Sequence, residues 1–268
     1  MTRLLALGCM LVCVTGCSDS PTAPTSPTPT GSPVLLTITP ATSLLKVGAN
    51  ETFSAFAVFP DGSGTTVAAQ WLIDQAAVAT VQASGFITAI GPGVATLTAR
   101  ADERTASRSL RVIPDYAATW EGDARIVECR DGDPGDCTSA PCPTRGVCPP
   151  VYPPGRILRI AAVLTHRDEH VAGFVSVTEC CPVIPAKGTI DLSGALILDG
   201  VLERRDSIGS YEWRLLDWKT TIDSATGSMR GSFVQTKPAF GNNRTTPPTR
   251  IRCEIIDLRR TSQVLRTF

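Results

Sequence analysis

Apolar and polar positions alternate with a period of two along most of this chain, which is the spacing of half-buried strands. The clearest run lies between Gln70 and Arg100, where Gln70–Asp74, Val78–Val81, Gly85–Ile90 and Val94–Arg100 read as four short strands separated by tight turns. Within the last of these, Ala95, Leu97 and Ala99 point one way while Thr96 and Thr98 point the other. Upstream, Leu36 and Ile38 open a strand, and Phe53, Ala55, Ala57 and Phe59 share one face of the next. Phe56 and Val58 break strict alternation there, so the second face is partly covered. Pro60-Asp61-Gly62 and Gly91-Pro92-Gly93 are turn signals. Trp71 is expected in the core, and Leu110 and Val112 close the unit before Pro114. Residues 34–114 thus predict a small β-sandwich.

The pattern continues with longer strands. Thr119–Cys129, Ile157–His166, Val171–Glu179, Gly188–Leu192, Leu196–Glu203, Tyr211–Thr220, Ser228–Thr236 and Ile251–Arg259 form eight sequential segments joined by short turns. Gly173, Gly200 and Gly231 fall inside strands, as the bends that close a barrel require. Residues 115–268 therefore predict an up-and-down antiparallel barrel, similar in form to lipocalin-like meanders though without a lipocalin motif, with a second sandwich as the alternative. The fold class is all-β. Trp213, Leu215, Leu216 and Trp218 make one strand apolar on both faces. A cavity lined by Leu164, Trp213, Leu215 and Phe233 would make the barrel a small-ligand carrier.

Composition fits many turns, with 22 glycines and 21 prolines, and charged residues are sparse at 19%. Lys+Arg and Asp+Glu both count 25, so there is none of the basic excess that marks a nucleic-acid binder. Ten cysteines point to an oxidising compartment. Seven of them, Cys129, Cys137, Cys142, Cys148, Cys180, Cys181 and Cys253, belong to the barrel segment, so one at least stays outside any intrachain bridge. In a closed meander the first and last strands are neighbours, which favours a Cys129–Cys253 disulfide. The other five occupy the 130–155 insert and the 180–186 loop, where cross-links worth typically 2–4 kcal/mol each would pin a proline-rich segment. Zinc fits the Cys142–Cys148 spacing poorly, and no metal or other cofactor is expected.

The first residues carry one positive charge at Arg3 and a short apolar run, Leu4–Val14, suited to a signal peptide and too short to span a bilayer. The ending Val14-Thr15-Gly16-Cys17 resembles the bacterial lipoprotein signal. That resemblance implies cleavage before Cys17 and lipidation of it, so residues 1–16 would be lost and Ser18 would favour the outer membrane. Residues 17–33 then form a Pro/Thr/Ser-rich tether that favours extended chain and reaches up to roughly 50 Å.

Residues 34–114 resemble the bacterial Ig-like domain of group 2, the module of intimin- and invasin-like surface proteins. The matching residues are Ile38 to Pro40, Gly48, Phe53, Trp71, Val78-Ala79-Thr80-Val81, Gly85, Ile87-Thr88-Ala89, Gly91, Gly93, Ala95 and Leu97. The resemblance implies a seven-stranded sandwich with a spacer or adhesive role and no catalysis. Where the family usually has Trp-Ser-Ser, this chain has Trp71-Leu72-Ile73-Asp74.

No catalytic constellation stands out. His166 and His170 flank a hairpin turn and read as solvated turn residues. Asp131, Asp133 and Asp136 form an acidic turn without EF-hand spacing. Nothing distinguishes Glu121, Glu203 or Glu212 as a glycosidase pair, and no Gly-x-Ser-x-Gly elbow occurs. Asn50 and Asn243 begin glycosylation-type triplets, a weak signal in a bacterial lipoprotein. The expected role is a non-enzymatic, lipid-anchored envelope protein that binds an unknown protein or carbohydrate. A ligand carrier using the barrel interior and an envelope enzyme stand as alternatives.

Overall fold

The structure, a computed structural model, describes residues 31–130, 152–178, 181–205, 210–238 and 248–261. Every regular element among them is a strand. Ten short ones come first: β1 (Leu35–Thr39), β2 (Leu44–Lys46), β3 (Asn50–Thr52), β4 (Ser54–Val58), β5 (Gly64–Val67), β6 (Gln70–Ile73), β7 (Ala79–Val81), β8 (Phe86–Ala89), β9 (Gly93–Ala101) and β10 (Arg104–Ile113). They pair as β1-β4-β5, β2-β10-β9-β6 and β3-β8-β7. All three sheets supply side chains to one core in which Phe53, Ala57, Ile87, Leu97 and Leu110 are at most 1% exposed. Each such large side chain contributes roughly 1.5–3 kcal/mol of burial, and no cysteine lies between residues 18 and 128 to supplement it.

The alternation at Phe53–Phe59 holds: Phe53, Ala55, Ala57 and Phe59 are buried and Phe56 is exposed. The strand breaks at Phe53, whose N–H donates to Gly85 O at 2.9 Å, and the chain passes from the β3-β8 sheet to the β1-β4 sheet. Breaks of this kind give ten strands where seven were expected. Trp71 is half-buried rather than central, because β6 is an edge strand. Its ring covers Gly85, where a Cβ would come within 3.1 Å of it.

The remaining strands are β11 (Ala118–Arg130), β12 (Ile157–Arg167), β13 (His170–Val177), β14 (Cys181–Ile190), β15 (Leu196–Arg205), β16 (Ser210–Ile222), β17 (Met229–Lys237) and β18 (Thr249–Thr261). Each pairs antiparallel with the next, and β18 returns to β11, closing an eight-stranded barrel with no free edge. Leu158, Ile160, Ala162 and Leu164 point inward at 0–3% exposure while their neighbours face out. Trp120, Trp218 and Phe233 fill the centre, with the last two rings stacked 5.4 Å apart.

The expected boundaries agree with the observed ones except at β14, which begins at Cys181 instead of Gly188. Pro182 and Pro185 argue for a loop, yet a bulge between Val175 and Val177 lets this segment pair with β13.

Strand crowding explains the in-strand glycines. A Cβ at Gly173 would stand 1.9 Å from Val163 O, one at Gly188 1.7 Å from Ile197 O, and one at Gly231 2.0 Å from Lys219 O. Closing the wall brings neighbouring backbones too near for any side chain. Gly188→Val is therefore expected to destabilise the barrel by about 2–4 kcal/mol through a forced backbone shift, measured as a fall in the urea midpoint. The exposed change Lys187→Gln should leave that midpoint within about 0.5 kcal/mol.

The chain enters and leaves the sandwich at opposite ends. Arg104 Nε donates to Pro33 O at 2.9 Å, which places the start of β1 beside the start of β10. The far end of β10, Ile113, belongs to the barrel core. Ten residues of β10, at about 3.3 Å each, separate the two ends.

Candidate functional site

The junction between sandwich and barrel is built from partly buried polar groups. Asp115 Oδ1 accepts from Lys46 Nζ at 2.9 Å and from the Ala117 N–H at 3.2 Å, and lies 3.0 Å from His166 Nδ1. His166 Nε2 is 2.7 Å from Asp168 O, and the imidazole is fully buried. The expectation of a solvated turn histidine thus fails for His166 and holds for the exposed His170. The hairpin turn is covered by the linker that leads into β11, a contact that local sequence does not announce. Burial opposes ionisation of Asp115, but hydrogen bonds from Lys46, Ala117 and His166 outweigh it and hold the carboxyl below the ordinary carboxylate range.

Arg111 spans the same junction. Its Nη2 donates to Ile190 O and Asp191 O, both at 2.9 Å, and its Nη1 pairs with Glu169. Both carbonyls lie at the β14–β15 turn, which Asp191 organises by accepting from the Ser193 and Ala195 N–H groups at 2.8 and 3.0 Å. The Tyr116 hydroxyl donates to Gly194 O at 2.8 Å and Thr220 O at 3.2 Å. Burial pushes its ionisation up, so it stays a donor.

The four residues expected to line a pocket all face inward. Leu164, Trp213, Leu215 and Phe233 are 3, 8, 0 and 0% exposed and belong to one packed cluster. The doubly apolar stretch of β16 has a specific cause. A bulge between Leu216 and Lys219, with Asp217 at φ 51°, shifts the alternation so that Trp213, Leu215 and Trp218 all turn inward. These side chains are part of the packed barrel core.

The Cys129–Cys253 bridge is corrected by register. β11 and β18 are neighbours as expected, but Cys129 lies opposite Ile251 and Cys253 opposite Ile126. Diagonal positions on paired strands are about 7–8 Å apart, beyond the span of a disulfide. Cys129 is disulfide-bonded, whereas Cys181 and Cys253 carry thiols. Cys17, Cys137, Cys142, Cys148, Cys180, Asp131, Asp133, Asp136 and Asn243 lie outside the described residues. Asn50 accepts from Thr88 Oγ1 at 2.9 Å on the sandwich.

The candidate acids are not assembled into a cleft. Glu203 and Glu212 face each other across β15 and β16, with Glu212 engaged by Arg214, and Glu121 lies opposite Arg259 on β18. Among the described residues no group of His, Cys, Asp and Glu could hold a metal ion, and no helix is long and apolar enough to cross a membrane.

Two concavities mark the outer barrel wall, and neither has a signal in the linear sequence, because each is formed by the pairing of several strands. One, of about 760 Å³, lies over β12–β15, with Phe174, Pro185 and Val201 beside the facing pair Lys187 and Asp199. The other, of about 430 Å³, is lined by Arg130, Arg250, Arg252, Glu128, Asp217 and Ser232, with Phe233 and Val234 beneath.

No family model matches the chain, and no curated protein does. Among solved structures it is similar to domains 5-6 of the S-layer protein SbsC, at 13% identity over 84% of this chain and 99% of that one, with a TM-score of 0.28. It is also similar to a Bacteroides ovatus protein of unknown function, at 10% identity over 87% of this chain and 92% of that one, with a TM-score of 0.24. At such scores neither likeness carries an argument.

Two outcomes test the junction. Arg111→Met removes charge-assisted hydrogen bonds worth roughly 2–3 kcal/mol. X-ray scattering should show a fixed two-part particle becoming flexible while both halves stay folded. Asp115 contributes fully above its unfolded pKa, near the ordinary carboxylate value of 3.8, because its folded value is lower. That contribution is lost as the pH falls through the folded value. Scattering should therefore show the junction loosening below about pH 4 and not on raising the pH from 7 to 9, with Asp115→Asn abolishing the acid response.

Proposed function

We propose that this chain is an exported, lipid-anchored protein of the cell envelope. Its sandwich, of the bacterial Ig-like group 2 kind, carries the barrel away from the membrane as a non-catalytic binding or display unit. One observation carries the reading: the start of β1 and the barrel lie at opposite ends of the sandwich. An anchor at Cys17 followed by a proline-rich tether would leave the sandwich between lipid and barrel. The clamps at Arg111 and Asp115 would keep the barrel from folding back toward the surface. The filled interior supports a role for the outer wall and the connecting loops, rather than carriage of a ligand inside.

The Ig-like assignment is supported by where its matching residues fall. Phe53, Ile87, Ala95 and Leu97 are core side chains, and Gly85 fits against the Phe53 carbonyl and Trp71, where a Cβ would have no room. Labelling of the full chain with a fatty-acid probe in a bacterial host tests the anchor. The expected result is acyl label and membrane fractionation that Cys17→Ser abolishes. Retention of both by the variant overturns the reading.

A further inference from the structure

The 430 Å³ concavity on the outer wall places three guanidinium groups on two adjacent strands. Arg130, the last residue of β11, lies directly opposite Arg250 of β18, and Arg252 follows on the same face, opposite Glu128. Like charges directly opposed on an antiparallel pair are destabilising. The local carboxylates meet this only in part. Arg130 pairs with Glu128 on its own strand, and Arg250 lies 3.6 Å from Asp217 across the concavity. Arg214, on β16 in the same row beyond Thr236, is engaged by Glu212. Arg252 has no ion pair or hydrogen bond among the described residues, and it lines the concavity. Among the described residues, three guanidiniums against two carboxylates give the wall of the recess a net positive charge. The volume lies in the lower part of the range for small-molecule sites.

The backbone adds a second observation. Asp217 is a non-glycine residue at φ 51°, in the left-handed region, at the β16 bulge. Such a conformation is disfavoured for ordinary side chains. Here it sets a carboxylate, 72% exposed, at the rim beside Arg250. The ring of Phe233 is stacked on Trp218 in the core, so the floor of the recess is formed by Ser232, Val234 and the main chain between them.

We propose that this recess binds a phosphate group, held by Arg252 and Arg250 with Arg130 at its edge, and that Asp217 occupies Arg250 until the phosphate displaces it. A guanidinium presents paired N–H donors that match tetrahedral oxyanions, and a concave wall concentrates the field of its charges. The site goes beyond the anchoring role and does not depend on it. Inorganic phosphate, glucose 6-phosphate and phosphatidylglycerol vesicles carry the same group in three settings, so they separate a free ion, a sugar phosphate and a lipid headgroup as its source.

The test is calorimetric titration of the full chain with inorganic phosphate, run beside the other two probes, with circular dichroism as the fold control. Saturable phosphate binding that weakens as sodium chloride rises is expected. Arg252→Gln and Arg250→Gln should weaken it at least about tenfold, the loss of one charge-assisted contact. Asp217→Asn should strengthen it several-fold by releasing Arg250, an effect that damage to the fold would not produce. Glucose 6-phosphate or the vesicles binding more tightly than the free ion would assign the source. Absence of saturable phosphate binding, or an affinity unmoved by Arg252→Gln, or weakened by Asp217→Asn in a folded protein, overturns the proposal.

Discussion

Asp115 stands where two separately cored sets of strands meet, and its carboxylate is shared among a lysine from the sandwich, a histidine from the barrel and the backbone that joins them. A linker between domains is normally the place where a chain bends. Here the linker's own side chain is the fastening. The apolar core also runs through this point, since Ile113 and Tyr116 pack into the barrel cluster and Leu44 of β2 leans against it. Polar clamps set the angle between the halves, and apolar contact makes separating them costly. Any function that depends on reach or orientation rests on that combination.

Closure of the barrel constrains both its wall and its interior. Its strands approach so closely at several points that only glycine fits, and the enclosed volume is taken up by indole, phenyl and aliphatic side chains. On the outside of the barrel, register brings together residues from strands that are distant in sequence. The arginines of β11 and β18 are more than a hundred residues apart in the chain and face one another in space.

Much of the fold was legible in the linear pattern. Period-two alternation located every strand of the barrel and most of the sandwich, missing the short β2, β3 and β5, and in-strand glycines such as Gly173 and Gly231 pointed to a closed meander. The misses have physical causes. Cys253 faces Ile126 instead of Cys129 because register is set by bulges that alternation cannot count. The prolines of β14 concealed the start of that strand, since a bulge in its pairing made room for them. His166 looked solvent-facing because its cover comes from a residue 51 positions away. The inward turn of Trp213, Leu215 and Trp218 needed one αL residue at Asp217. The outer concavities were invisible because they depend on which residues the strand register sets side by side.

The last strand ends where the first begins. Arg260 donates to Asp115 O and stacks over the Trp120 ring at 5.1 Å, so the chain leaves β18 at the waist of the molecule. At the opposite rim β11, β13, β15 and β17 end and β12, β14, β16 and β18 begin. A reporter fused after Thr261 would emerge beside the sandwich, while a sequence grafted between two strands at the far rim would sit at the tip. The two ends of this body are therefore open to engineering by different routes, one by extension and the other by insertion.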